Sequence, residues 1–225
     1  MKSLVFDSST VINLALNNLL WILEPLKKKF NGEFYITPEV KKEVIDTPFQ
    51  MKRFKLESLQ ISNEINKGNL KIYTENLSSE INELQIIANE LLTVKKQPLK
   101  LIDIGEMSAL VLARKINADA LVIDERTTKL LVESPETLAN IFKEKLHQEV
   151  TIDISKLKIL KQKYSQIKVI RSTELGVVAY EMGILNNYMP QGNKKDILDA
   201  VLWGFRMKGC AISEKEMQEI MNLEK

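Results

Sequence analysis

Short apolar runs alternate with helical patterns along most of this chain, and this alternation constrains the fold more than any other feature. Each run is followed by turn or capping residues and then by apolar positions at helical spacing. Strands separated by helices form parallel sheets, because the chain must return to the edge where the next strand starts. The sequence therefore predicts an α/β fold with a central, mainly parallel sheet. The predicted strands are 2–6, 33–36, 70–73, 120–123 and 168–170.

Capping residues mark where several helices begin. Thr37 and Pro38 are typical of an N-cap and a first helical position. Ser213 is followed three residues later by Glu216, which is a capping-box pattern. Residues 95–98 are predicted to form a loop. The other predicted helices are 11–20 (capped by Ser8, Ser9 or Thr10), 21–30 (ended by Gly32), 49–67, 78–91, 105–116, 135–142, 154–164, 175–182 and 197–207.

Composition limits the chemistry that is available. The 225 residues include 32 basic and 30 acidic ones, so the net charge of +2 is not that of a protein that coats nucleic acid. A nucleic-acid partner would be bound by local patches. Cys210 and His147 are the only residues of their types, which excludes an internal disulfide and a Cys/His zinc site and disfavours His-dependent nucleophilic catalysis.

The hydropathy pattern predicts a protein without membrane association. No apolar run approaches the length of a membrane span. The N-terminal residues MKSLVFDSST place an acid inside what would be the apolar region of a signal peptide. We therefore expect a cytoplasmic protein.

Four acids are the candidates for a functional site. Asp7 and Asp124 directly follow predicted strands, and the carboxyl ends of parallel strands line the crevice where α/β proteins bind ligands. Glu43 lies on the helix opened by Pro38, and Glu106 lies at the start of a later helix. Any one of them alone would be explained by capping or a turn. Four carboxylates at one place repel one another unless a cation neutralises them, and a hard divalent ion, commonly used in phosphate chemistry, is the natural candidate.

Four motifs, in this order, resemble those of the PIN-domain nucleases, in particular the prokaryotic branch that includes toxin-type ribonucleases. LVFDSSTVINLAL (4–16) resembles the first motif, an apolar strand followed by Asp and a small hydroxyl residue. ITPEVKKEV (36–44) resembles the second, a Pro-opened helix with Glu five residues later. DIGEMSALVLARKINADALVIDE (103–125) resembles the third and fourth. RSTELGVVAYEMGIL (171–185) and GCAISEKEMQEIM (209–221) resemble the tail of an uncharacterised PIN subfamily.

The resemblance implies a PIN-like three-layer α/β/α fold and a divalent-metal-dependent ribonuclease. In that interpretation Asp7, Glu106 and Asp124 hold one or two Mg²⁺ or Mn²⁺ ions, and Glu43 holds or orients a metal-bound water. The ion lowers the pKa of that water and stabilises the charge that grows on the phosphate oxygens. Asp7, Glu43, Glu106 and Asp124 are thus the predicted catalytic residues.

Other polar residues lie close to these acids in the sequence. Predicted contacts to substrate phosphates are Ser8, Ser9, Arg126 and Thr127. Helix capping explains the two serines equally well, and Lys129 competes with Arg126 for the basic position that the resemblance implies. Glu125 stands where family members often carry a second acid, and Asp103 is expected to have a loop role.

Residues 1–225 are predicted to form a single PIN-like domain with two helical insertions. The segments at about 49–98 and 133–166 are longer than the resemblance implies. The remainder shows no linker, repeat or low-complexity tract that would indicate a second domain. The insertions bear on substrate choice more than on the acids.

Two other functions remain open at this point. One is a catalytically weak or inactive PIN-fold module that binds RNA or a protein. The other is a phosphatase or receiver-like pocket, which is disfavoured because Ser9 stands where a second acid would be expected after Asp7. The predicted partners are RNA, an antitoxin-like protein and a second copy of the chain.

Overall fold

A sheet of five parallel strands lies at the centre of the computed structural model, which describes residues 2–188 and 193–224. The strands of the described residues are β1 (Ser3–Phe6), β2 (Glu33–Ile36), β3 (Lys71–Ile72), β4 (Leu92–Val94), β5 (Gln97–Pro98), β6 (Ala120–Val122), β7 (Val150–Ile152) and β8 (Val169–Ile170). The order across the central sheet is β3-β2-β1-β6-β8, and every neighbouring pair is parallel. The predicted parallel α/β sheet is therefore confirmed.

Helices connect the strands and cover the sheet. The α-helical segments are α1 (Ser8–Leu16), α2 (Leu23–Phe30), α3 (Pro38–Lys41), α4 (Thr47–Phe49), α5 (Lys55–Asn66), α6 (Ser78–Asn89), α7 (Ile104–Lys115), α8 (Arg126–Glu133), α9 (Pro135–Leu146), α10 (Ile154–Tyr164), α11 (Ser172–Glu181), α12 (Lys194–Met207) and α13 (Glu214–Leu223). A π-helical turn, Lys42–Asp46, joins α3 to α4. Short 3-10 helices cover Leu20–Ile22 and Ile184–Tyr188.

The order in which the chain adds strands to the central sheet explains why helices cover both faces of the sheet. From β1 the chain steps outward through β2 to β3, then crosses back and continues on the other side through β6 to β8. Right-handed crossovers in opposite directions place their helices on opposite faces of a sheet. The result is the predicted three-layer α/β/α fold, with β1 buried along its whole length. The strand order reverses between β1 and β6.

A second sheet joins the two segments that were predicted to be helical insertions. β4 pairs with β5 and with β7, and both pairings are antiparallel. Lys95 and Lys96 adopt positive φ angles of 49° and 65° in the turn between β4 and β5. The prediction of a loop at 95–98 was therefore wrong at Gln97–Pro98, and β7 was not predicted. β4 pairs with β7 across a long stretch of sequence, as in Thr93 with Thr151, and no local pattern encodes such a pairing.

Several helix ends differ from the predicted ones. Asp7, rather than Ser8, Ser9 or Thr10, is the N-cap of α1, since a carboxylate accepts hydrogen bonds at a helix N-terminus at least as well as a hydroxyl. α2 ends at Phe30, and its C-cap Asn31 adopts the left-handed conformation with φ 54°, so Gly32 is not the stop. Residues 50–54 form a turn within the predicted helix 49–67. The caps at Thr37 and Ser213 are confirmed.

Candidate active site

Asp7 and Asp124 lie at the carboxyl ends of two neighbouring strands, where the strand order reverses. The Asp7 amide donates to the Val122 carbonyl at 2.9 Å, which continues the pairing of β1 with β6. Both side chains are buried, with 1% and 2% of their surface exposed. Ligands of open α/β sheets bind at such a reversal of strand order. The structure therefore brings these two predicted acids to the same edge of the sheet.

Ser9 links the ends of these two strands. Its hydroxyl donates to Asp7 Oδ2 at 2.6 Å and accepts from the Asp124 amide at 3.0 Å, and its own amide donates to Asp7 Oδ2 at 3.0 Å. These bonds fix the orientation of the Asp7 carboxylate. Ser9 thus has a structural role, and its contact with a phosphate stays a prediction. Ser8 is partly exposed as the first residue of α1.

The second oxygen of the Asp7 carboxylate has no partner. Oδ1 is buried and has no hydrogen-bond donor among the described residues. Burial raises the pKa of Asp7 to about 6, although the hydrogen bonds from Ser9 lower it, and the charge of Glu43 adds to the increase. A buried carboxylate oxygen without a donor is unusual, because desolvation of the charge is costly. Such an oxygen is suited to bind a cation.

Glu106 lies close enough to Asp7 for their charges to interact. It stands in the first turn of α7, where its Oε2 accepts from the Asp103 amide at 2.8 Å. Burial, together with the negative charges of Asp7, Glu125 and Asp103, raises the pKa of Glu106 to about 8, against the lowering effect of that amide. The predicted loop role of Asp103 is consistent with its place as N-cap of α7 and its ion pair with Lys100.

Glu43 reaches the same place from the π-helical turn. A methyl group at Gly105 would lie 2.5 Å from both carboxylate oxygens of Glu43, so the carboxylate rests directly on the backbone that precedes Glu106. Pro48 explains the widened turn, because it lacks an N–H and cannot continue the α-helical bonding. The Thr47 amide instead donates to the Lys42 carbonyl, five residues back. π-helical turns are frequent at functional sites.

Asp124 is held differently from the other three acids. Its Oδ1 accepts from the Ser172 amide at 2.7 Å, and its Oδ2 accepts from Asn13 Nδ2 at 2.8 Å. Both oxygens therefore have neutral donors. A carboxylate oxygen has more than one lone pair, so these bonds leave acceptor capacity toward the crevice. The role of Asp124 as a metal ligand stays a prediction.

Two residues at the site, Asn13 and Ser172, were not identified from the sequence, and Glu125 was identified only as the second acid that the resemblance implies. Glu125 is the N-cap of α8, where its carboxylate accepts from the Thr128 amide, and its charge reaches Glu106. Asn13 and Ser172 anchor Asp124. The sequence contains a signal for both of these residues. Asn13 is a polar residue on the apolar face of a helix, and Ser172 comes shortly after the last strand of the central sheet.

Basic residues line a cavity of about 470 Å³ beside the acids. Asp124 and Glu125 form part of its wall, together with Arg126, Lys129 and Arg171. Arg126 is exposed, and among the described residues neither it nor Lys129 has a carboxylate within 4.0 Å. Thr127 is partly buried and does not line this cavity. Both candidates for the basic position thus line the same cavity as Asp124 and Glu125.

A comparison with protein families decides what kind of domain this is. The model of the DUF3368 family, described as a PIN domain, matches residues 3–134, which is more than half of the chain. This protein belongs to the PIN-domain family. No curated protein and no solved structure matches the chain. PIN domains are generally nucleases that use divalent metal ions.

The region that matches the PIN domain includes all four predicted acids, but it does not include every residue that contacts them. Residues after 134 lie outside the matched region, yet Ser172 binds Asp124 and the Arg171 side chain lines the adjacent cavity. The later part of the chain therefore completes the wall of the site. None of the described helices is long and apolar enough to cross a membrane.

The acids of this PIN domain fit a hard divalent ion by their chemistry. Over residues 2–188 and 193–224, no three acidic, histidine or cysteine side chains are already arranged as the ligands of a metal. The charged groups that raise the pKa values of Asp7 and Glu106 are nevertheless all carboxylates, whose oxygens Mg²⁺ and Mn²⁺ prefer. The unpartnered Asp7 Oδ1 and the raised pKa of Glu106 are the effects expected where a cation would neutralise several acids.

Asn13→Ala is expected to destabilise this PIN domain by about 1–3 kcal/mol, because it leaves the buried Asp124 without one of its two donors. The Asn13 amide also donates to the Phe205 carbonyl at 3.1 Å, so the loss reaches α12. Chemical denaturation measures the change. Asn140→Ala is the control, since it removes an exposed amide on α9, away from Asp124. Equal stability of Asn13→Ala and the wild type would contradict this role.

The metal-free PIN domain is expected to lose stability as pH rises from about 4 to 8. Asp7 and Glu106 have folded-state pKa values of about 6 and about 8, above the ordinary 3.8 and 4.5, so the folded state binds more protons than the unfolded state in this range. Stability then falls with pH, by on the order of 2–4 kcal/mol for this coupled pair. Thermal melts in EDTA measure it.

Two further thermal denaturation experiments test whether these acids cause the pH dependence. Glu106→Gln should flatten the dependence, and millimolar Mn²⁺ should restore the stability of the wild type at pH 8. A melting temperature that rises toward pH 8 in EDTA, or an equally steep loss in Glu106→Gln, would show that these acids are not buried together.

Proposed function

We propose that this protein is a divalent-metal-dependent endoribonuclease that hydrolyses phosphodiester bonds. The observation that supports it is the convergence of Asp7, Glu43 and Glu106 at the reversal of strand order. Among the described residues no lysine or arginine lies within 4.0 Å of these carboxylates. A cluster of this kind is stable at neutral pH when a cation is bound.

Asp7, Glu106 and Asp124 would hold the Mg²⁺ or Mn²⁺ in this proposal. When bound, the ion would lower the pKa of water and stabilise negative charge on the phosphate oxygens. Ser9 keeps one Asp7 oxygen fixed and leaves Oδ1 directed away from its hydrogen bonds. Glu43 lies beside Glu106 and would orient the attacking water. Arg126 and Lys129 would attract the anionic substrate to the mouth of the site.

A second candidate function is supported by the environment of Asp124. Both of its oxygens accept hydrogen bonds from neutral donors, as they would in a site that is kept for structure. In this alternative the PIN fold binds RNA or a protein but does not cleave. Binding without turnover distinguishes it from the nuclease.

The test is cleavage of labelled single-stranded RNA with Mn²⁺, with Mg²⁺ and with EDTA. The nuclease proposal predicts metal-dependent cleavage that yields 5′-phosphate and 3′-hydroxyl ends. RNA binding without cleavage in either metal supports the second candidate. Hydrolysis of a small phosphate ester without cleavage of RNA would overturn both and indicate a phosphatase.

A further inference from the structure

Residues 49–56, with the sequence FQMKRFKL, form an exposed basic and apolar surface that the acidic site does not use. They contain three cations, Lys52, Arg53 and Lys55, and no acid. The apolar members are also accessible, with 38% of Phe49, 47% of Met51 and 66% of Leu56 exposed. The segment is the end of α4, a turn and the start of α5. We refer to it as the 49–56 patch.

The cations of the 49–56 patch are free to bind an anion. Among the described residues none of the three has a carboxylate within 4.0 Å. Several lysines elsewhere in the chain, by contrast, form ion pairs with acidic side chains. Lys55 Nζ lies 4.5 Å from the ring centroid of Phe49, and the Arg53 guanidinium lies 5.0 Å from that of Phe54. Each of these two cations is therefore held next to an aromatic ring. Phosphate-binding charges and base-stacking surfaces thus lie side by side.

The 49–56 patch adjoins the acids through one continuous helical segment. Glu43 is in the π-helical turn, and Phe49 ends the helical turn that follows it directly. Six helical residues span about 9 Å. The backbone of Phe49 therefore lies about that far along the helix axis from the backbone of Glu43. The helix α5, in which the patch ends, also packs against the π-helical turn that carries Glu43.

We propose that the 49–56 patch binds single-stranded nucleic acid and holds it beside the acids. This inference rests on the proposed nuclease function and names where its substrate binds. The reason is electrostatic, because a crevice lined by Asp7, Glu43 and Glu106 repels an anionic polymer. Attraction must come from nearby cations. Proteins that bind single strands combine such cations with aromatic rings on which bases stack.

Binding of a fluorescent single-stranded RNA, followed by anisotropy in EDTA, tests this proposal without cleavage. The triple variant Lys52→Gln/Arg53→Gln/Lys55→Gln should bind at least about tenfold more weakly at moderate salt. The slope of log K against log salt should fall in magnitude by about 2, at about 0.7 per lost phosphate contact. Phe49→Ala should weaken binding by about 5- to 100-fold through lost stacking.

The matched control removes three charges at the opposite edge of the sheet. Lys2→Gln/Lys29→Gln/Lys168→Gln changes residues that precede β1, β2 and β8, at the amino ends of the strands. Among the described residues these three lysines, like those of the patch, have no carboxylate within 4.0 Å. It should leave affinity and salt slope close to the wild-type values. Thermal melts verify that each variant is folded, which is expected because the substituted side chains are exposed.

Several results would overturn the proposal. If the 49–56 triple variant binds RNA with the wild-type slope, the patch does not contact the backbone. If the wild type binds anionic phosphatidylserine vesicles but not RNA, the patch is a lipid-binding surface. If light scattering shows a dimer that only this variant dissociates, a second copy covers it. RNA binding that depends on the patch, with no cleavage in Mn²⁺, would instead reject the nuclease function alone.

Discussion

Asp7→Asn is expected to reduce RNA cleavage by about 10³-fold or more while the protein stays folded. The amide preserves the size of the side chain, and its oxygen can still accept from the Ser9 amide. The substitution removes the negative charge. It also removes the free acceptor Oδ1, which is the buried oxygen of Asp7 that no donor contacts. An uncharged side chain at this position cannot hold a divalent cation at comparable strength.

The same substitution is expected to stabilise the metal-free protein at pH 8. The pKa of Asp7 is raised to about 6, so the wild type carries a buried, desolvated charge at pH 8, whereas the neutral amide of the variant carries none. Single-turnover cleavage in Mn²⁺ and thermal melts in EDTA measure the two effects. Asp199→Asn, which removes an exposed charge on α12, is the control. Cleavage by Asp7→Asn within about threefold of the wild-type rate would refute the proposed site.

Gly105→Ala is expected to reduce cleavage by about 10- to 100-fold without loss of stability. The new methyl group would lie 2.5 Å from both Glu43 oxygens, so the Glu43 carboxylate must move away. That carboxylate is the end of a flexible side chain, and its displacement costs little free energy of unfolding. Alanine also lowers the entropy lost when a helix forms, by about 0.5–1 kcal/mol relative to glycine.

A double-mutant cycle shows whether Gly105 acts through Glu43. In the Glu43→Ala background the methyl group at position 105 meets no carboxylate, so Gly105→Ala should have no further effect on the cleavage rate. Rates of the wild type, both single variants and the double variant are compared. If the two losses simply add, the close approach of Glu43 to Gly105 is not what positions the site.

The position of Asp7 and Asp124 could be predicted because it depends on local sequence and one general rule. Each follows a short apolar strand, and parallel strands place their carboxyl ends at one edge. The contacts of Asp124 could not be predicted in this way. Asn13 is 111 residues away from it and Ser172 is 48 residues away, and no local pattern encodes such pairs. The same is true of the contact between Glu43 and Gly105, which depends on how the π-helical turn packs against α7.

The fold was predictable where periodic patterns were long enough. Helices such as α10 and the strand β2 were predicted at their observed ends because caps and apolar spacing agree there. The sheet formed by β4, β5 and β7 was missed, since β4 in the segment 49–98 pairs with β7 in the segment 133–166 and no local pattern encodes such a pairing. The predicted extent of the domain, residues 1–225, stays a prediction.

Direct measurement of Mn²⁺ binding tests the central claim, which is that Asp7, Glu106 and Asp124 hold a divalent ion. The electron paramagnetic resonance signal of free Mn²⁺ is recorded during titration at about pH 8 with the wild type, Asp7→Asn and Asp199→Asn. The wild type and Asp199→Asn should bind Mn²⁺, and Asp7→Asn should bind at least about tenfold more weakly. Equal Mn²⁺ affinity of Asp7→Asn and the wild type would contradict the claim.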